Sequence, residues 1–468
     1  MSTIYELHEK LINQEISAVE LTKEYLANID RENEKLNTFI TVSTDKALAD
    51  AKEADALIAS EDYSILTGIP YAAKDIFCTK GIKTTAGSKI LESYVPPYDA
   101  TVISKLKDAV LLGKTNCDEF AMGGSGENSA YGVTKNPFDI ERVPGGSSSG
   151  SAAAVASQQA VFALGTDTGG SIRQPASFTN TVGLKVTYGR VSRYGVCAMA
   201  SSFDTIGPIT QDVRDAALVL QTIAGRDNFD GTTCDITVDE YIKEIEKSIT
   251  KLRVGIPKEF LEMEGIDNQV KELFFQAVEK IKKMGVEIIE ISLPHAKYAI
   301  PVYYILIPSE VSSNMARYDG IKYGYRADDA ESLLDVYMQS RQQGFGREVK
   351  RRIMIGTYSL SSGYYDAYYK KASKVRTLIC NDFKNNFKDV DCIISPTTPT
   401  PAFKINEKSD PLSLYMADIF TAPASCAGIP ALSVPAGKVN NLPVGLQIMG
   451  NYFRESDILR LGRHFEQA

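Results

Sequence analysis

Polar and apolar residues near the start of the chain alternate with the period of an α-helix. Val19 and Leu26 lie seven positions apart, which is two helical turns, and the run ends at a polar stretch. Ser17 and Glu20 open this run in the pattern of a capping box, in which each side chain bonds the other residue's backbone N–H. The pattern predicts an N-terminal helical segment within residues 1–60.

Further along, short apolar runs alternate with segments of helical period. Helices are predicted at residues 152–156 and 267–285, the second capped by Asp267 and ended by Gly285. This alternation predicts an α/β fold around a mixed central β-sheet covered by helices on both faces. The remaining predicted elements are a loop entering a buried strand at 66–77, a helix followed by a strand at 106–115, and strands at 160–164, 252–256 and 286–291.

Length and composition agree with one large enzyme body. The chain has 468 residues, of which 44% are hydrophobic, and this suffices for a substantial core. The polar stretch at residues 225–250 is the candidate boundary, and we expect it to join parts of a single body. No stretch approaches the roughly 18 apolar residues of a membrane span, and the N-terminus lacks a signal-peptide pattern. We therefore expect a cytoplasmic protein that does not bind a membrane.

Charge and cysteine content argue against two further classes of protein. The net charge of −8 disfavours a chain that grips nucleic acid directly, because that mode of binding needs clustered Lys and Arg. The seven cysteines form no CxxC pair. We expect free, mostly buried thiols, with neither a metal site nor a disulfide framework.

Two Ser/Gly-rich stretches, at residues 145–151 and 165–171, carry the candidate chemistry. Apolar elements bracket both stretches, which disfavours a flexible linker. A phosphate-binding P-loop is also disfavoured, because neither stretch contains Gly-Lys-Ser/Thr. The run at 113–115 has that ending but carries Asp108 where the pattern needs its first glycine. Lys114 is therefore interpreted as a lysine at the end of a strand.

A catalytic turn explains the stretches better. Successive glycines let backbone N–H groups converge on one point and stabilise an oxyanion, with Ser171 placed to attack. The three histidines all lie more than 100 residues from both stretches, so Lys74 is the available base if desolvation keeps its amine neutral. The local run alone favours instead a structural ion pair of Lys74 with an acid such as Asp75, because perturbed lysines are the rarer case.

These residues resemble those of the amidase signature family. Residues 145–173, which end in Gly-Thr-Asp-Thr-Gly-Gly-Ser-Ile-Arg, are similar to the family signature, in which two catalytic serines stand 24 residues apart. Residues 71–75, Tyr-Ala-Ala-Lys-Asp, are similar to its lysine motif. The resemblance implies a Ser-cisSer-Lys triad in which Ser171 attacks, Ser147 relays the proton and Lys74 is the base.

The resemblance also implies roles for residues around the triad. It assigns the oxyanion to four backbone N–H groups, those of Thr168, Gly169, Gly170 and Ser171. It assigns loop-bracing or loop-shaping roles to Asp167 and Arg173, as an ion pair, and to the hydroxyls of Ser148, Ser149 and Ser151.

Within that family, the chain most resembles the A subunits of tRNA-dependent aspartyl/glutamyl amidotransferases, which implies that it hydrolyses glutamine. The similarity runs nearly end to end, and residues 351–354 and 361–369 are typical of this branch. A pocket for free glutamine needs a cation for the α-carboxylate and an anion for the α-ammonium group. The implied substrate-binding residues are Met122, Gly123, Tyr303, Tyr304, Arg351 and Asp418. Arg352 matches as well as Arg351, and the choice between the two tyrosines is equally open.

The same resemblance implies partners and a domain plan. A B subunit would activate the glutamyl or aspartyl group of misacylated tRNA with ATP and Mg²⁺, and a C subunit would clasp this chain to the B subunit. This chain would contact tRNA only indirectly and would hold no cofactor or metal. We expect a single amidase-signature domain over residues 1–468, with a signature core at about 65–200 and a part at about 251–468 that completes the sheet and the glutamine pocket.

Two other functions remain as alternatives. A free-standing amidase acting on small amides would turn over without partners and ignore the α-groups of glutamine. A non-catalytic scaffold or nucleotide-binding module would not need Ser171, although the missing P-loop argues against nucleotide binding.

Overall fold

The computed structural model describes residues 2–263, 265–408 and 410–468. In these ranges eleven β-strands form one sheet and seventeen α-helices cover it, which confirms the predicted α/β class. The strands are β1 Phe39–Val42, β2 Pro70–Lys74, β3 Val110–Thr115, β4 Phe162–Asp167, β5 Val182–Lys185, β6 Thr205–Thr210, β7 Arg253–Pro257, β8 Glu287–Ile291, β9 Cys392–Pro396, β10 Ala431–Val439 and β11 Leu442–Gly450. The helices are α1 Ile4–Ile12, α2 Ala18–Leu36, α3 Thr44–Ala59, α4 Thr101–Lys105, α5 Ser149–Ala156, α6 Arg173–Phe178, α7 Val213–Ile223, α8 Tyr241–Ile245, α9 Lys258–Leu261, α10 Asn268–Lys283, α11 Ala299–Asn314, α12 Leu333–Gly344, α13 Arg347–Leu360, α14 Tyr369–Asn386, α15 Pro411–Tyr415, α16 Ala422–Ala427 and α17 Glu455–Gln467.

The sheet is mixed, with the strand order β1-β3-β2-β4-β6-β5-β10-β11-β9-β7-β8. Strand β2 runs parallel to β3 and β4, and β7 runs parallel to β8 and β9. The other neighbouring pairs are antiparallel. Every residue of β2, β3, β4 and β6 is buried, which requires cover on both faces of this part of the sheet.

The parallel pairing of β2 with β4 decides where the functional loops lie. Ala73 pairs with Leu164, so the two strands end at the same edge of the sheet, β2 at Lys74 and β4 at Asp167. The first Ser/Gly-rich stretch leads into α5, which packs on β2, β3 and β4. Ligand sites of α/β sheets form beyond the carboxyl ends of parallel strands. Lys74 and both stretches meet at such an edge.

Two predicted element boundaries were wrong. The helix expected at the start of residues 106–115 is absent, because α4 ends at Lys105 and a tight turn, closed by the N–H of Ala109 on the carbonyl of Leu106, leads into β3. The strand expected at 160–164 begins at Phe162 and continues to Asp167, because it pairs with β6 over that length. The start of the second Ser/Gly-rich stretch is therefore strand.

Other predicted ends are confirmed. Ser17 and Glu20 form the capping box of α2. Asp267 caps α10 by accepting hydrogen bonds from the N–H groups of Gln269 and Val270. Gly285 follows α10 with φ +83°, the left-handed conformation that glycine adopts at the end of a helix.

The polar stretch at residues 225–250 packs onto its neighbours. It contains α8, whose Tyr241 and Ile245 are buried and which contacts α7 and α17. This agrees with the expectation that it joins parts of one body. Among the helices of the described residues, none has both the length and the apolar character needed to cross a bilayer.

Candidate active site

Lys74 lies at the carboxyl end of β2 with its side chain fully buried. Its Nζ donates to Ser147 Oγ at 2.7 Å and to Thr166 Oγ1 at 2.9 Å, and it also reaches Ser148 Oγ at 3.2 Å. All three acceptors are hydroxyls. The structure therefore brings the predicted lysine into direct contact with the predicted relay serine, 73 residues away in sequence.

The neighbouring acid does not pair with Lys74. Asp75 Oδ1 lies 3.7 Å from Lys114 Nζ on the adjacent strand, and its other oxygen accepts from the N–H of Thr85 at 2.9 Å. Lys114 also donates to the Phe77 carbonyl at 2.5 Å and to Thr84 Oγ1 at 2.7 Å. The structural ion pair considered for Lys74 and Asp75 is thus made by Lys114.

Burial without a carboxylate partner weakens the hold of Lys74 on its proton. Desolvation lowers the pKa of Lys74 to about 8, although the charges of Asp118, Asp204 and Asp167 act in the opposite direction. At a pH near neutrality a useful fraction of the amine is therefore unprotonated. Such an amine can accept a proton from Ser147.

Ser147 and Ser171 lie on loops that touch each other. The Gly146–Ser147 peptide bond is cis. The N–H of Ser148 donates to the Ser171 carbonyl at 3.1 Å, which ties the first loop to the second. Ser147 is fully buried and Ser171 is 7% exposed, so among the two serines Ser171 is the one open to a substrate.

An ion pair braces the loop that carries Ser171. Asp167 Oδ1 accepts from Arg173 Nη2 at 2.8 Å, and its Oδ2 accepts from Arg173 Nε at 2.9 Å and from the N–H of Ile172 at 3.2 Å. Burial alone would raise the pKa of Asp167, but the charge and hydrogen bonds of Arg173 outweigh it and lower that pKa. The pairing expected for Asp167 and Arg173 is present.

The backbone between Asp167 and Ile172 forms an open row of donors. Within the described residues, no acceptor is bonded to the N–H of Gly169, Gly170 or Ser171. Gly170 has φ +150°, and a Cβ on it would lie 2.4 Å from Thr421 Oγ1, so the turn requires glycine. Thr168 is held from the side, because its Oγ1 donates to Asp204 Oδ1 at 2.7 Å. The arrangement can bind an oxyanion.

Asp418 and Tyr304 form the acidic end of a pocket near this row. Tyr304 Oη donates to Asp418 Oδ2 at 3.1 Å, and the Tyr304 ring stacks on Tyr415 with 3.6 Å between centroids. Burial raises the pKa of Asp418 to about 7. Tyr303 packs against the oxyanion loop, since a Cβ on Gly169 would lie 2.5 Å from its Cζ. Both candidate tyrosines therefore face this region.

The two candidate arginines differ in position. The Arg352 side chain is 3% exposed, and its guanidinium lies 5.5 Å from the Tyr304 ring centroid and 5.9 Å from that of Tyr415. The Arg351 side chain is 30% exposed and pairs with Glu348. Glu348 also accepts from Arg352 Nε at 2.9 Å. The structure places Arg352 against the aromatic wall of the pocket, and Arg351 nearer solvent.

Met122 and Gly123 lie in a loop fixed by Asp118. Asp118 accepts hydrogen bonds from the N–H groups of Gly126 at 3.0 Å and Asn128 at 3.0 Å. Its own N–H donates to the Ser147 carbonyl at 3.3 Å. Met122 is fully buried. This loop is therefore tied to the one that carries Ser147.

Some site residues were missed by the sequence reasoning. Thr166 was seen only as part of a glycine-rich stretch, and its place in β4 gives it a fixed direction toward Lys74. Asp204 and Glu348 carry no local sequence pattern that marks them as partners of Thr168 and the arginines. Searching the described residues for three or more His, Cys, Asp or Glu side chains able to hold a metal ion finds no such group.

Comparison with known proteins gives the family. Residues 20–459 match the amidase family. The A subunits of glutamyl-tRNA(Gln) amidotransferase from Geobacter metallireducens and Thermoanaerobacter pseudethanolicus are each 55% identical to this chain, covering all of it and 97% and 96% of their own lengths.

Solved structures agree with this result. The crystal structure of the glutamyl-tRNA(Gln) amidotransferase A subunit from Thermotoga maritima is 42% identical with a TM-score of 0.82, and the match covers 100% of this chain and 94% of that one. The peptide amidase of Stenotrophomonas maltophilia is 30% identical with a TM-score of 0.85, covering 100% and 96%. The resemblance inferred from the motifs is confirmed, and the chain belongs to the amidase family, with end-to-end similarity to the A subunits of glutamyl-tRNA(Gln) amidotransferases.

Proposed function

We propose that this chain is the glutaminase component of a glutamine-dependent tRNA amidotransferase. The observation that carries the proposal is the environment of Lys74, a buried amine with a pKa near 8 whose acceptors are the hydroxyls of Ser147, Ser148 and Thr166. An unprotonated lysine in contact with a serine is the base that a histidine-free serine hydrolase needs.

The proposed reaction proceeds through an acyl-serine. Ser171 Oγ attacks the side-chain carboxamide carbon of glutamine, while its proton passes to Ser147 Oγ and the Ser147 proton passes to Lys74 Nζ. The N–H groups of Thr168, Gly169, Gly170 and Ser171 receive the oxyanion, where one donor is worth roughly 10²- to 10³-fold in rate. Collapse of the tetrahedral species breaks the C–N bond, and Lys74 returns a proton through Ser147 to the leaving nitrogen. Water then cleaves the γ-glutamyl ester and releases glutamate.

The pocket around Asp418 fits the two charged groups of free glutamine. Without a cation, the buried Asp418 has a pKa of about 7, so a bound α-ammonium group would both ionise it and pair with it. Arg352, packed on Tyr304 and Tyr415, is the better placed arginine for the α-carboxylate, and it takes the role that the motif left open between Arg351 and Arg352. Tyr303, Tyr304, Met122 and Gly123 would complete the walls.

The name that the relatives carry, an amidotransferase with separate subunits, supports a role in an assembly. We propose that ammonia passes to a B subunit, which converts the glutamyl or aspartyl group of misacylated tRNA, activated with ATP and Mg²⁺, to the amide, and that a C subunit joins the two. The net charge of −8 agrees with a chain that does not itself hold tRNA. The proposed place of action is the cytoplasm, where aminoacyl-tRNA is used.

Ammonia release from glutamine tests the proposal. The purified chain is assayed alone and with B and C subunits, ATP and misacylated tRNA, using Ser171→Ala and a matched control, Ser151→Ala. Ser151 is a buried serine of the other loop whose Oγ donates to the Leu164 carbonyl at 3.0 Å. We expect partner-stimulated release that Ser171→Ala abolishes and Ser151→Ala largely keeps. Equal turnover of diverse amides without any partner effect would instead assign a free-standing amidase.

The neighbouring arginines provide an internal control for the pocket. Arg352→Ala should raise KM for glutamine by about 10²-fold, because it removes a charge-assisted contact of roughly 1.5–3 kcal/mol. Arg351→Ala, on the more exposed side, should change KM by less than about threefold. The reverse order of effects would return the carboxylate-binding role to Arg351. Asp418→Asn should raise KM for glutamine and leave hydrolysis of an amide without an α-amino group unchanged.

A further inference from the structure

Two cysteines lie side by side just behind the lysine strand. Phe77 forms an antiparallel bridge with Val196. The N–H of Cys78 donates to the Gly195 carbonyl at 2.8 Å, and the N–H of Cys197 donates to the Ile76 carbonyl at 2.9 Å. In such a pair, the residues on either side of the bridge point to the same face and are diagonal neighbours. The side chains of Cys78 and Cys197 are therefore adjacent.

The surroundings distinguish the two thiols. A hydrogen bond from the Cys197 thiol is the main reason that the pKa of Cys78 falls to about 6, with smaller contributions from Tyr98, Tyr94 and Lys114 against the effect of burial. The pKa of Cys197 is raised, chiefly through the same contact with Cys78. One sulfur is thus prepared to be a thiolate beside a second that is a thiol.

The other nearby cysteines lack this arrangement. Cys380 Sγ reaches the carbonyl of Cys426 at 3.7 Å, but burial raises the pKa of both thiols. Cys234 is partly exposed, and its Sγ reaches the Thr232 carbonyl at 3.9 Å. Only a thiolate reacts readily with an oxidant. Of these positions, the 78–197 pair alone combines a neighbouring thiol with a thiolate.

We propose that Cys78 and Cys197 form a reversible disulfide when a hydroperoxide reaches them, and that this bond lowers the activity of the adjacent catalytic site. Cys78 is 5% exposed and Cys197 is 9% exposed, so the site admits a small oxidant. A cavity of 190 Å³, lined in part by Val196, Ala198 and Thr166, adjoins the Cys197 segment.

The chemistry balances with one molecule of hydrogen peroxide. The Cys78 thiolate, having released its proton to solvent, attacks one peroxide oxygen, the O–O bond breaks and the released hydroxide is protonated to water, leaving a sulfenic acid on Cys78. The Cys197 sulfur then attacks the Cys78 sulfur, an S–S bond forms, the S–O bond breaks, and the proton of Cys197 leaves with the hydroxide as a second water. Two thiols are oxidised and one peroxide is reduced. A dithiol reductant reverses the bond by thiol–disulfide exchange.

The bond would join the two segments that hold the catalytic groups. Cys78 follows Lys74 by four residues, and Cys197 lies in the segment that leads to Asp204, which holds Thr168 of the oxyanion loop. Diagonal partners in an antiparallel pair have Cα atoms about 7–8 Å apart, whereas a disulfide requires about 4.4–6.8 Å. Closing the bond therefore draws the segments together by roughly 1 Å, and a displacement of that size at a catalytic group costs up to about 10²-fold in rate.

Peptide mapping of the full-length chain tests the disulfide independently of activity. The chain is treated with hydrogen peroxide, its free thiols are alkylated, and unreduced peptides are analysed by mass spectrometry. We expect the peptides of Cys78 and Cys197 to be joined, and separated again by dithiothreitol. Cys78→Ser and Cys197→Ala should each prevent the joined species, and Cys234→Ser, the matched control, should leave it unchanged. Free, alkylated Cys78 and Cys197 after the peroxide treatment would overturn the proposal.

A parallel ammonia assay tests the effect on the site, and this part rests on the proposed function. Oxidation should lower glutamine hydrolysis by about tenfold or more, and dithiothreitol should restore it. Cys197→Ala should resist the oxidant, whereas Cys234→Ser should respond as the unmodified chain does. A disulfide that leaves turnover within twofold would overturn the regulatory part. Absence of hydrolysis in the reduced chain with its partners would contradict the proposed function, while the peptide map still decides the disulfide.

Discussion

Lys74 and Lys114 stand on adjacent strands, both fully buried, yet they do different things. In the register of β2 and β3, Lys114 pairs with Ala73, so the two lysines are one position apart across the ladder. Lys114 has a carboxylate at 3.7 Å, a carbonyl at 2.5 Å and one hydroxyl at 2.7 Å. Lys74 has hydroxyls alone as acceptors among the described residues.

The difference shows that partners, and not burial, separate a structural lysine from a base. Burial lowers the pKa of both amines. At Lys114 the nearby Asp75 charge and a carbonyl dipole stabilise the ammonium form, whereas hydroxyls can donate as well as accept and so tolerate either form of Lys74. The amine that can exist in both protonation states is the one able to move a proton.

Removing the Lys74 amine should have the largest effect. Lys74→Met should lower kcat/KM for glutamine by at least about 10³-fold, because no other described side chain contacts Ser147 Oγ as a base. The melting temperature should shift by only a few degrees, since no charged partner is left unpaired. Ammonia release and calorimetry on the same preparation check both points. Retention of a tenth of the activity would break the comparison.

Removing the Lys114 amine should affect folding more than chemistry. Lys114→Met leaves the Asp75 carboxylate buried without its cation, which should cost about 3–5 kcal/mol in the free energy of unfolding. The double variant with Asp75→Asn should recover part of this loss. Urea unfolding measures the free energies, and kcat of the folded fraction should stay within about tenfold. A stable Lys114→Met protein without activity would contradict the structural role.

The pH dependence of kcat should follow Lys74. The neutral amine is required, and its pKa is about 8, so kcat should rise about tenfold per unit as pH increases below 8 and level off above it. Measuring at saturating glutamine separates this effect from Asp418, whose protonation below about pH 7 should raise KM. A kcat that is flat between pH 6 and 9 would show that Lys74 does not titrate in the rate-limiting step.

The smallest expected effect concerns a single hydroxyl. Thr166→Val removes the acceptor 2.9 Å from Lys74 Nζ, which should destabilise the ammonium form and shift the acid limb of the kcat profile to lower pH by a few tenths of a unit. The rate on the plateau should fall by less than about tenfold. Thr115→Val is the control, because Thr115 Oγ1 bonds Ser151 and not the lysine. Its acid limb should not move.

Much of the catalytic chemistry was predictable because it sits in continuous sequence. The glycines around residues 145–151 and 168–171, the serine spacing and the lysine motif all lie in short runs, so their local conformations follow from residue type. The ends of α10 were equally local, with Asp267 and Gly285 acting through their own backbone neighbours. The division into a core at about 65–200 and a part at about 251–468 stays a prediction.

The errors arose where distant pairing decides. Strand β4 extends to Asp167 because β6 pairs with it, and no property of residues 165–167 alone shows that. Arg351 and Arg352 are adjacent on α13, so a one-residue step turns the side chain by about 100° around the helix axis. Packing on Tyr304 and Tyr415 selects Arg352 for the pocket. The 78–197 thiol pair likewise depends on a bridge between segments 119 residues apart.

By itself, the sequence determined the family, the α/β class, and which serines and lysine carry the chemistry, because each depends on residue types in short, recognisable runs. The tertiary structure alone decided that Asp75 pairs with Lys114, that Lys74 faces only hydroxyls, and that Arg352 lines the pocket. The physical reason is that a side chain's protonation and role depend on the charges and dipoles within a few ångströms, and strand register and helix packing place those groups from remote parts of the chain.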